Sequence, residues 1–374
     1  PGSGKKLKIL HINSYFASSA FYRHLFKEQI KNGLDIKVFV PVSKSFDETF
    51  KCDDYISLSR NHRQSDRFIF HLKHWKILND ITKNYKIKDY DIIHAHSLFS
   101  NGYIAYKLYK KTNIPYIVAV RDTDLNVFFS KMVHLRRTGI KILQNAKSVI
   151  FLSTPYKEAT INKYVPKRYQ QNIKEKSLVI PNGIDSFWLR NRNKPKRLSL
   201  DKKIKLIYVG RISQRKNVLT SAKVCEYLIR NGFDIEFNVI GKIEDEKIFN
   251  KLKKYNFVNY FPAQPKEKLI NFYRKNDIFI MPSITETFGL VYGEAMSQGL
   301  PVIYSKNQGF DGQIKEGLVG YPVNCFDVKE IAKRIIDIIN NYEQMSENSV
   351  KYCTKFDWKK ITNQYISIYK RICY

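Results

Sequence analysis

Short apolar runs, each bounded by turn residues and separated by helical patterns, recur along this chain, and the series starts twice. In the first half the runs are "KILHIN" (8–13), "DIKVFVPV" (35–42), "YDIIHAHS" (90–97), "PYIVAVRD" (115–122), "AKSVIFLS" (146–153) and "KSLVIPNGID" (176–185). Helical stretches such as "SSAFYRHLFKEQIKNG" (18–33) and "GYIAYKLYKKTN" (102–113) lie between them. Unbroken apolar strands alternating with helices specify a parallel sheet covered on both faces. After Asp185 comes "SFWLRNRNKPKRLSLDKK", polar, basic and proline-containing, which marks a boundary. The alternation then restarts with "IKLIYVG" (204–210), "FDIEFNVIG" (233–241), "VNYFPA" (258–263), "DIFIMPS" (277–283) and "PVIYS" (301–305). The helices "NVLTSAKVCEYLIRNG" (217–232) and "EKLINFYRKN" (267–276) fall between these runs. The pattern predicts an α/β protein of two tandem Rossmann-like, doubly wound domains facing a cleft, over 5–183 and 184–355. A last amphipathic helix occupies 356–374. In such sheets ligands sit beyond the carboxyl ends of the strands.

The 374 residues also suit two domains of ordinary size, and 43% hydrophobic content is globular. Pro1 to Gly4 read as an expression scar. No run of ~18 uninterrupted apolar residues exists, which argues against a transmembrane helix, and "KKLKILHIN" is not a signal peptide. The five cysteines (Cys52, Cys225, Cys325, Cys353, Cys373) are scattered and form no CxxC. They imply reduced thiols in the cytoplasm and no metal site. The formal charge of +31 fits either a lysine-rich residue usage with solvated side chains or attraction to polyanions: nucleotide phosphates, anionic lipid or nucleic acid.

The chemistry concentrates in "SITETFGLVYGEAMSQGLPVI" (283–303). An apolar strand, the turn "ITETFG" and the helix "LVYGEAMSQ" follow one another, closed by Gly299 with Pro301 beyond. The amides around Phe288, Gly289 and Leu290 therefore form a helix mouth suited to an anion. Glu294, about one turn inside, can accept hydrogen bonds from a vicinal diol, as acids in dinucleotide folds do. Glu286, in the turn, can reach the next part of the same ligand. Each acid alone reads equally as a charge at a helix start or a solvated helix residue. A second stretch, "YVGRISQRKN" (208–217), supplies countercharge. Gly210 lets a ligand approach the backbone, Arg211 can clamp phosphate oxygens bidentately, and Lys216 adds a point charge.

With "VGRISQRKN", "MPSITETFGLVYGEAMSQGLPVI" and the hinge-like "VIPNGID" (179–185) in view, the chain resembles the retaining nucleotide-sugar glycosyltransferases of family 4, of GT-B fold, over nearly all of 6–374. Glu286 and Glu294 match that family's E-x7-E signature. The resemblance implies that Gly210, Arg211, Lys216, Gly241, Phe261, Glu286, Thr287, Phe288, Gly289, Leu290 and Glu294 bind the donor. Glu286, Arg211 and Lys216 would serve the chemistry, and the last helix would cross back to the N-terminal domain. Two departures stand out. The loop "NSYFASSA" replaces a glycine pair, giving its role to Ser18 and Ser19. Asp122, in "RDTD", stands where a histidine is usual, so Arg121, Asp122, Asp124 and His96 would shape the catalytic and acceptor face, with His94 beside them. "DTD" (122–124) also matches the metal–diphosphate signature of a different glycosyltransferase fold, against which two α/β halves argue. No metal or cofactor is expected.

The implied reaction moves a sugar from a nucleotide-diphosphate sugar, a UDP-sugar first among them, to an acceptor hydroxyl in surface polysaccharide, teichoic acid, glycolipid or glycoprotein glycan. Leaving-group charge falls to Arg211, Lys216 and helix amides rather than a metal. Rival readings are a sugar phosphorylase or nucleotide-sugar epimerase of the same fold, or a non-catalytic polybasic membrane- or RNA-binding protein. The stretches 62–88 and 131–147 interleave bases with apolar side chains, as either a helix packed on its sheet or a membrane-surface element does. The expected location is cytoplasmic, with peripheral contact at the inner face of the membrane; nucleic acid is not an expected partner.

Overall fold

The computed structural model describes residues 4–46 and 53–374; Pro1–Ser3 and Cys52 lie outside the described residues. The chain divides into two compact units, the first comprising Pro1–Leu152, Lys157–Ile180 and Trp358–Tyr374, the second Ser153–Tyr156 and Pro181–Asp357. Each is a parallel sheet with helices between its strands. Two doubly wound α/β domains are thus the architecture.

The first unit's strands are β1 (Lys8–Ile12), β2 (Asp35–Ser43), β3 (Ile56–His62), β4 (Ile92–Ala95), β5 (Tyr116–Val120), β6 (Ser148–Phe151) and β7 (Ser177–Val179), in the order 3-2-1-4-5-6-7. The second unit's are β8 (Ile204–Val209), β9 (Ile235–Ile240), β10 (Val258–Phe261), β11 (Ile278–Ile280), β12 (Val302–Ser305) and β13 (Gly320–Val323), in the order 10-9-8-11-12-13. In both sheets the order reverses beside the unit's first strand, β1 or β8, which places a ligand crevice beyond that strand's carboxyl end. The central strands are apolar on both faces. Ile9, Val38, Val40, Ile92 and Ile117 are buried in the first core, and Leu206, Ile207, Phe237, Phe279 and Val302 in the second.

Two strands escaped the apolar-run pattern, and both are edge strands. β3, "ISLSRNH", is buried only at Ile56 and His62, with the positions between them partly or fully exposed, because only one neighbour covers it. β13, "GYPV", carries Pro322, which lacks the N–H a central ladder needs but is tolerated at an edge.

The C-terminal helix, Trp358–Cys373, belongs to the first unit. Trp358, Ile361, Tyr365, Ile368 and Tyr369 recur at helical spacing and are all buried. This stripe packs against the helix Phe21–Lys31, with the Phe21 and Trp358 rings stacked at 6.0 Å. Burying each such side chain stabilises by about 1.5–3 kcal/mol, so the helix is part of the core. Among the described residues no helix is long and apolar enough to cross a membrane.

Candidate active site

The second unit builds its site at the carboxyl ends of β8, β9 and β11. Gly210 and Gly241 end the first two of these strands, with Gly210 N–H donating to Ile240 O at 3.0 Å and Gly241 N–H to Phe261 O at 3.1 Å. A Cβ on Gly241 would lie 1.7 Å from Gly210 O, so only glycine lets the two backbones pass. Beyond them opens a cavity of about 750 Å³ lined by Arg211, Ser213, Gln214, Arg215, Glu244, Asp245, Ile284 and Thr285. Arg211 is held loosely, 3.5 Å from Glu244, with both side chains largely exposed. Ile284 N–H donates to Arg215 O at 2.8 Å and ties the β8 loop to the β11 loop.

Glu286 is buried beside this cavity and is heavily bonded. Its carboxylate pairs with Lys216 Nζ at 2.5 Å and accepts from Ser283 Oγ at 3.1 Å. Its amide donates to Gln308 Oε1 at 2.9 Å, and its carbonyl accepts from Gly309 N–H at 2.8 Å and Tyr156 Oη at 3.2 Å. The turn is thereby clamped from both sides. Gly289 follows in the left-handed region at φ 80° and opens the helix Leu290–Ser297, whose first amides have no partner within the helix. A Cβ there would also strike the Tyr292 ring at 2.4 Å. Phe288 turns its ring inward against Phe356, at 5.7 Å, leaving its backbone to face the loop. Glu294 lies one turn on, half-buried, and accepts from Tyr273 Oη at 3.3 Å. Burial pushes its pKa up to about 7. Phe261 packs its ring on Phe272 at 4.9 Å, near the Gly241 backbone.

Lys216 and Glu286 therefore meet directly, and Arg211 lines the cavity next to them; Glu294 sits on its own tyrosine. Sequence reasoning missed Glu244, Asp245, Gln308 and Tyr156. Glu244 and Asp245 did carry a signal, acids just past a second strand's carboxyl end, where dinucleotide folds place their ribose acid. Gln308 and Tyr156 carried none, because each reaches Glu286 from a distant part of the chain.

In the first unit the candidate residues sit beyond β1, β4 and β5. Ser18 is exposed and its Oγ donates to Tyr15 O at 3.0 Å; Ser19 follows it, half-buried. Arg121 Nε donates to His96 O at 2.7 Å, and its guanidinium lies over the Tyr22, Tyr15 and Phe21 rings. Asp124 is fully buried and accepts from the amides of Leu98, Phe99 and Arg121 at 2.9, 3.0 and 2.8 Å. Burial raises its pKa to about 6 against those amides. Its oxygens pin the β4 and β5 loops together. Asp122 is half-buried and bonds Asn126. Asp124 so committed, "DTD" does not present two carboxylates to one cation.

No metal is expected from the sequence, yet the fold brings three histidines together. His11, His94 and His96, from β1 and the β4 end, bring ligand atoms within 4.8 Å of one another, a group invisible to local spacing. Their arrangement is that of a hydrogen-bonded cluster. The His94 and His96 rings stack at 4.0 Å and 10°, so their lone pairs lie in separate, nearly parallel planes. His11 shares a proton with His96 at 2.8 Å and bonds Gln29 at 2.8 Å; Tyr369 Oη bonds His94 Nδ1 at 2.6 Å. Burial drives His11 down to about 3 and the other two well below the usual range, so all three are neutral at pH 7.

Comparison with known proteins places this geometry. The family model "Glycosyltransferase Family 4" matches residues 18–186, and "Glycosyl transferases group 1" matches 190–355. The chain is therefore a glycosyltransferase of GT-B type acting on nucleotide sugars. The two matches together span both units and are consistent with a family 4 glycosyltransferase. Among its relatives, the Escherichia coli UDP-Gal:alpha-D-GlcNAc-diphosphoundecaprenol alpha-1,3-galactosyltransferase is 27% identical over 365 residues, covering 90% of this chain and 89% of that protein. The sucrose-phosphate synthase of Thermosynechococcus elongatus superposes with a TM-score of 0.73 at 18% identity, covering 98% and 99% of the two chains. HepE from Anabaena, solved with UDP and glucose, gives 0.65 at 16% identity, covering 96% and 98%.

Proposed function

We propose that the chain transfers a sugar from a UDP-sugar to a hydroxyl of a lipid-linked, cell-envelope glycan, with retention of anomeric configuration and without a divalent metal. The observation that carries this reading is the buried Lys216–Glu286 pair at the mouth of the Leu290–Ser297 helix, beside the arginine-lined cavity. A diphosphate laid there meets Arg211, Arg215, Lys216 and helix amides, which together offset the charge that grows on the leaving group. As that group departs, the bond from the sugar's C1 to the phosphate oxygen breaks and a bond from C1 to the acceptor oxygen forms on the same face. The acceptor's proton passes to the departing phosphate. In this reading Glu286, held by Lys216 and Ser283, meets the sugar that follows the diphosphate, and Glu294 takes the ribose. Asp122 stands on the acceptor side in place of the usual histidine. The E. coli relative's name joins a UDP-sugar, a diphospholipid acceptor and an α linkage, which supports this choice of donor and acceptor class. A peripheral location on the inner face of the membrane goes with such an acceptor.

The test is incubation with UDP-sugars and a diphospholipid-linked monosaccharide in EDTA, following UDP release and the product's anomeric configuration by NMR. An α-linked product with EDTA present is expected. An inverted product, or activity abolished by EDTA and restored by Mn²⁺, refutes the mechanism. An altered nucleotide sugar without acceptor would make the protein an epimerase instead.

A further inference from the structure

A cavity of about 410 Å³ opens at the end of the second sheet opposite the donor site, beside the amino ends of β8 and β11. Five bases line it, Arg197, Lys202, Lys203, Lys205 and Lys275, with one acid, Asp277. All belong to the second unit. β8 is six residues long at about 3.3 Å each, so about 20 Å of strand separates this cavity from Arg211. Lysine-rich composition explains bases on a surface but not this convergence. The chain carries 65 Lys and Arg against 34 Asp and Glu, whereas the lining holds five bases to one acid. That acid is already committed. The Asp277 carboxylate accepts from the Lys205 amide at 2.8 Å, and the Asp277 amide donates to Lys205 O at 2.8 Å. Arg197 pairs with Glu343 at 2.9 Å, both exposed. Lys202, Lys203 and Lys275 are exposed and Lys205 is half-buried; among the described residues none of the four pairs with an acid. Like charges gathered round one hollow repel, and an anion seated among them removes that cost.

The walls are fixed in place. Lys196, half-buried, donates from Nζ to Arg274 O at 2.9 Å and to Asn276 O, and from its amide to Ser346 Oγ at 2.7 Å. The Lys202 amide closes a turn onto Ser199 O at 3.2 Å, and Tyr342 Oη donates to Asp277 O at 2.7 Å. The segment before β8 is thereby fastened to the helices Lys266–Lys275 and Tyr342–Tyr352. An adjoining cavity of about 620 Å³ shares Arg197 and Leu198 and adds Leu200, Phe233 and Ile339; Leu200 is 76% exposed. We propose that this cavity binds a small molecule bearing two or more phosphate groups, at a site separate from the donor nucleotide's. The phosphates lie among the lysines and Arg197, and an organic part, where the ligand has one, lies along Leu198 and Leu200. Ammonium groups suit phosphate as point charges. A preformed hollow within the ~300–1,000 Å³ range of small-molecule sites admits such a ligand and excludes a folded partner. Binding here is independent of what the donor site transfers.

The probe is tripolyphosphate, added to the whole protein in about 150 mM salt, which screens diffuse attraction beyond about 8 Å. Acetylation followed by mass spectrometry localises it. Lys202, Lys203 and Lys275 should be protected, whereas Lys86 and Lys370, equally exposed but elsewhere, should react as before. Calorimetric titration gives the affinity, and the comparison is made in an Arg211→Ala background so that the donor cavity contributes less. Adding Lys202→Gln, Lys203→Gln and Lys275→Gln should weaken binding at least about tenfold, because three charges that face the phosphates are lost. These exposed substitutions should leave the melting temperature without ligand unchanged, and tripolyphosphate should raise it only where the three lysines remain. Adenosine triphosphate, run alongside, distinguishes the source. Tighter binding than tripolyphosphate, reduced by Leu200→Ser, identifies an organic oligophosphate, and equal affinity identifies the inorganic chain; either supports the site. Equal affinity with and without the three lysines overturns the proposal. So does protection spread evenly over all exposed lysines, or binding by the wild type that Arg211→Ala alone abolishes, which would put the anion in the donor cavity.

Discussion

At the residue scale, Arg211 and Lys216 share one sign and differ in situation. Arg211 reaches into solvent, whereas Lys216 and Glu286 bury one another's charge, at 14% and 8% side-chain exposure. Arg211→Ala should weaken UDP binding about tenfold or more with the melting temperature unchanged, since a phosphate fork is lost and no core contact. Lys216→Met should also destabilise the fold, by about 3–5 kcal/mol, because a buried carboxylate is left unpaired. Adding Glu286→Gln should restore much of that stability and none of the transfer. Calorimetry and a transfer assay on the three variants decide the point; a Lys216→Met protein as stable as wild type would deny the pair its structural part. Glu294 gives a second prediction. Its folded pKa, about 7, exceeds the ordinary glutamate value of 4.5, so the folded state holds a proton the unfolded state has released. Its contribution to stability therefore falls as pH rises from about 4.5 to 7 and is level above. A ribose diol donates to the ionised form, so UDP affinity should rise through pH 7, and Glu294→Gln should flatten that rise. Both acids and the Gly210–Arg211 step were legible because strand, turn and helix follow one another locally. Arg121 was legible by position, but the burial of Asp124 was not, since its three amide partners come from two separate loops.

At the element scale, the C-terminal helix is fastened by chemistry as well as by area. Tyr369 Oη bonds both Gln29 and His94, and with them closes a polar chain running on through His11 to His96. Tyr369→Phe keeps the ring and its packing but strands these buried groups. It should cost about 1–3 kcal/mol, read as a lower denaturation midpoint with an unchanged slope. Substitution of the exposed Lys370 on the same helix should do nothing measurable, which controls for helix propensity. Central strands and long helices could be read directly, since burial on both faces writes an unbroken apolar run. β3 and β13 could not, for an edge strand needs only one covered face and accepts polar residues and proline. The residues that join elements, Gln29 to His11 or Tyr156 to Glu286, lie far apart in sequence, where no local pattern marks them.

At the scale of the whole molecule, the two units should answer to pH in opposite directions. All eight histidines lie at or before His134, in the first unit. Five of them have pKa values pulled below 6.5 with burial as the leading cause: His11 to about 3, His62 and His74 to about 4, His94 and His96 further. The unfolded chain protonates first, so their contribution is complete above pH 6.5 and is lost as pH falls below it. Asp124, raised to about 6, opposes them singly. In the second unit Glu294 and Asp277 are raised by burial, which favours the folded form on the acid side. Scanning calorimetry at pH 5 and pH 8 should resolve two transitions, the first unit's falling at pH 5 by about 2–4 °C for each kcal/mol lost, the second unit's holding. Trp188 reports the second and Trp358 the first; parallel shifts in both would refute the assignment. The placement of the last helix also has a consequence for synthesis. Residues 181–357 leave the ribosome before Trp358–Cys373, so the second unit can close while the first still lacks its final helix. The part of the protein made earliest is thus the last to be finished, and in the interval its apolar seam beside Phe21–Lys31 stands open to chaperones.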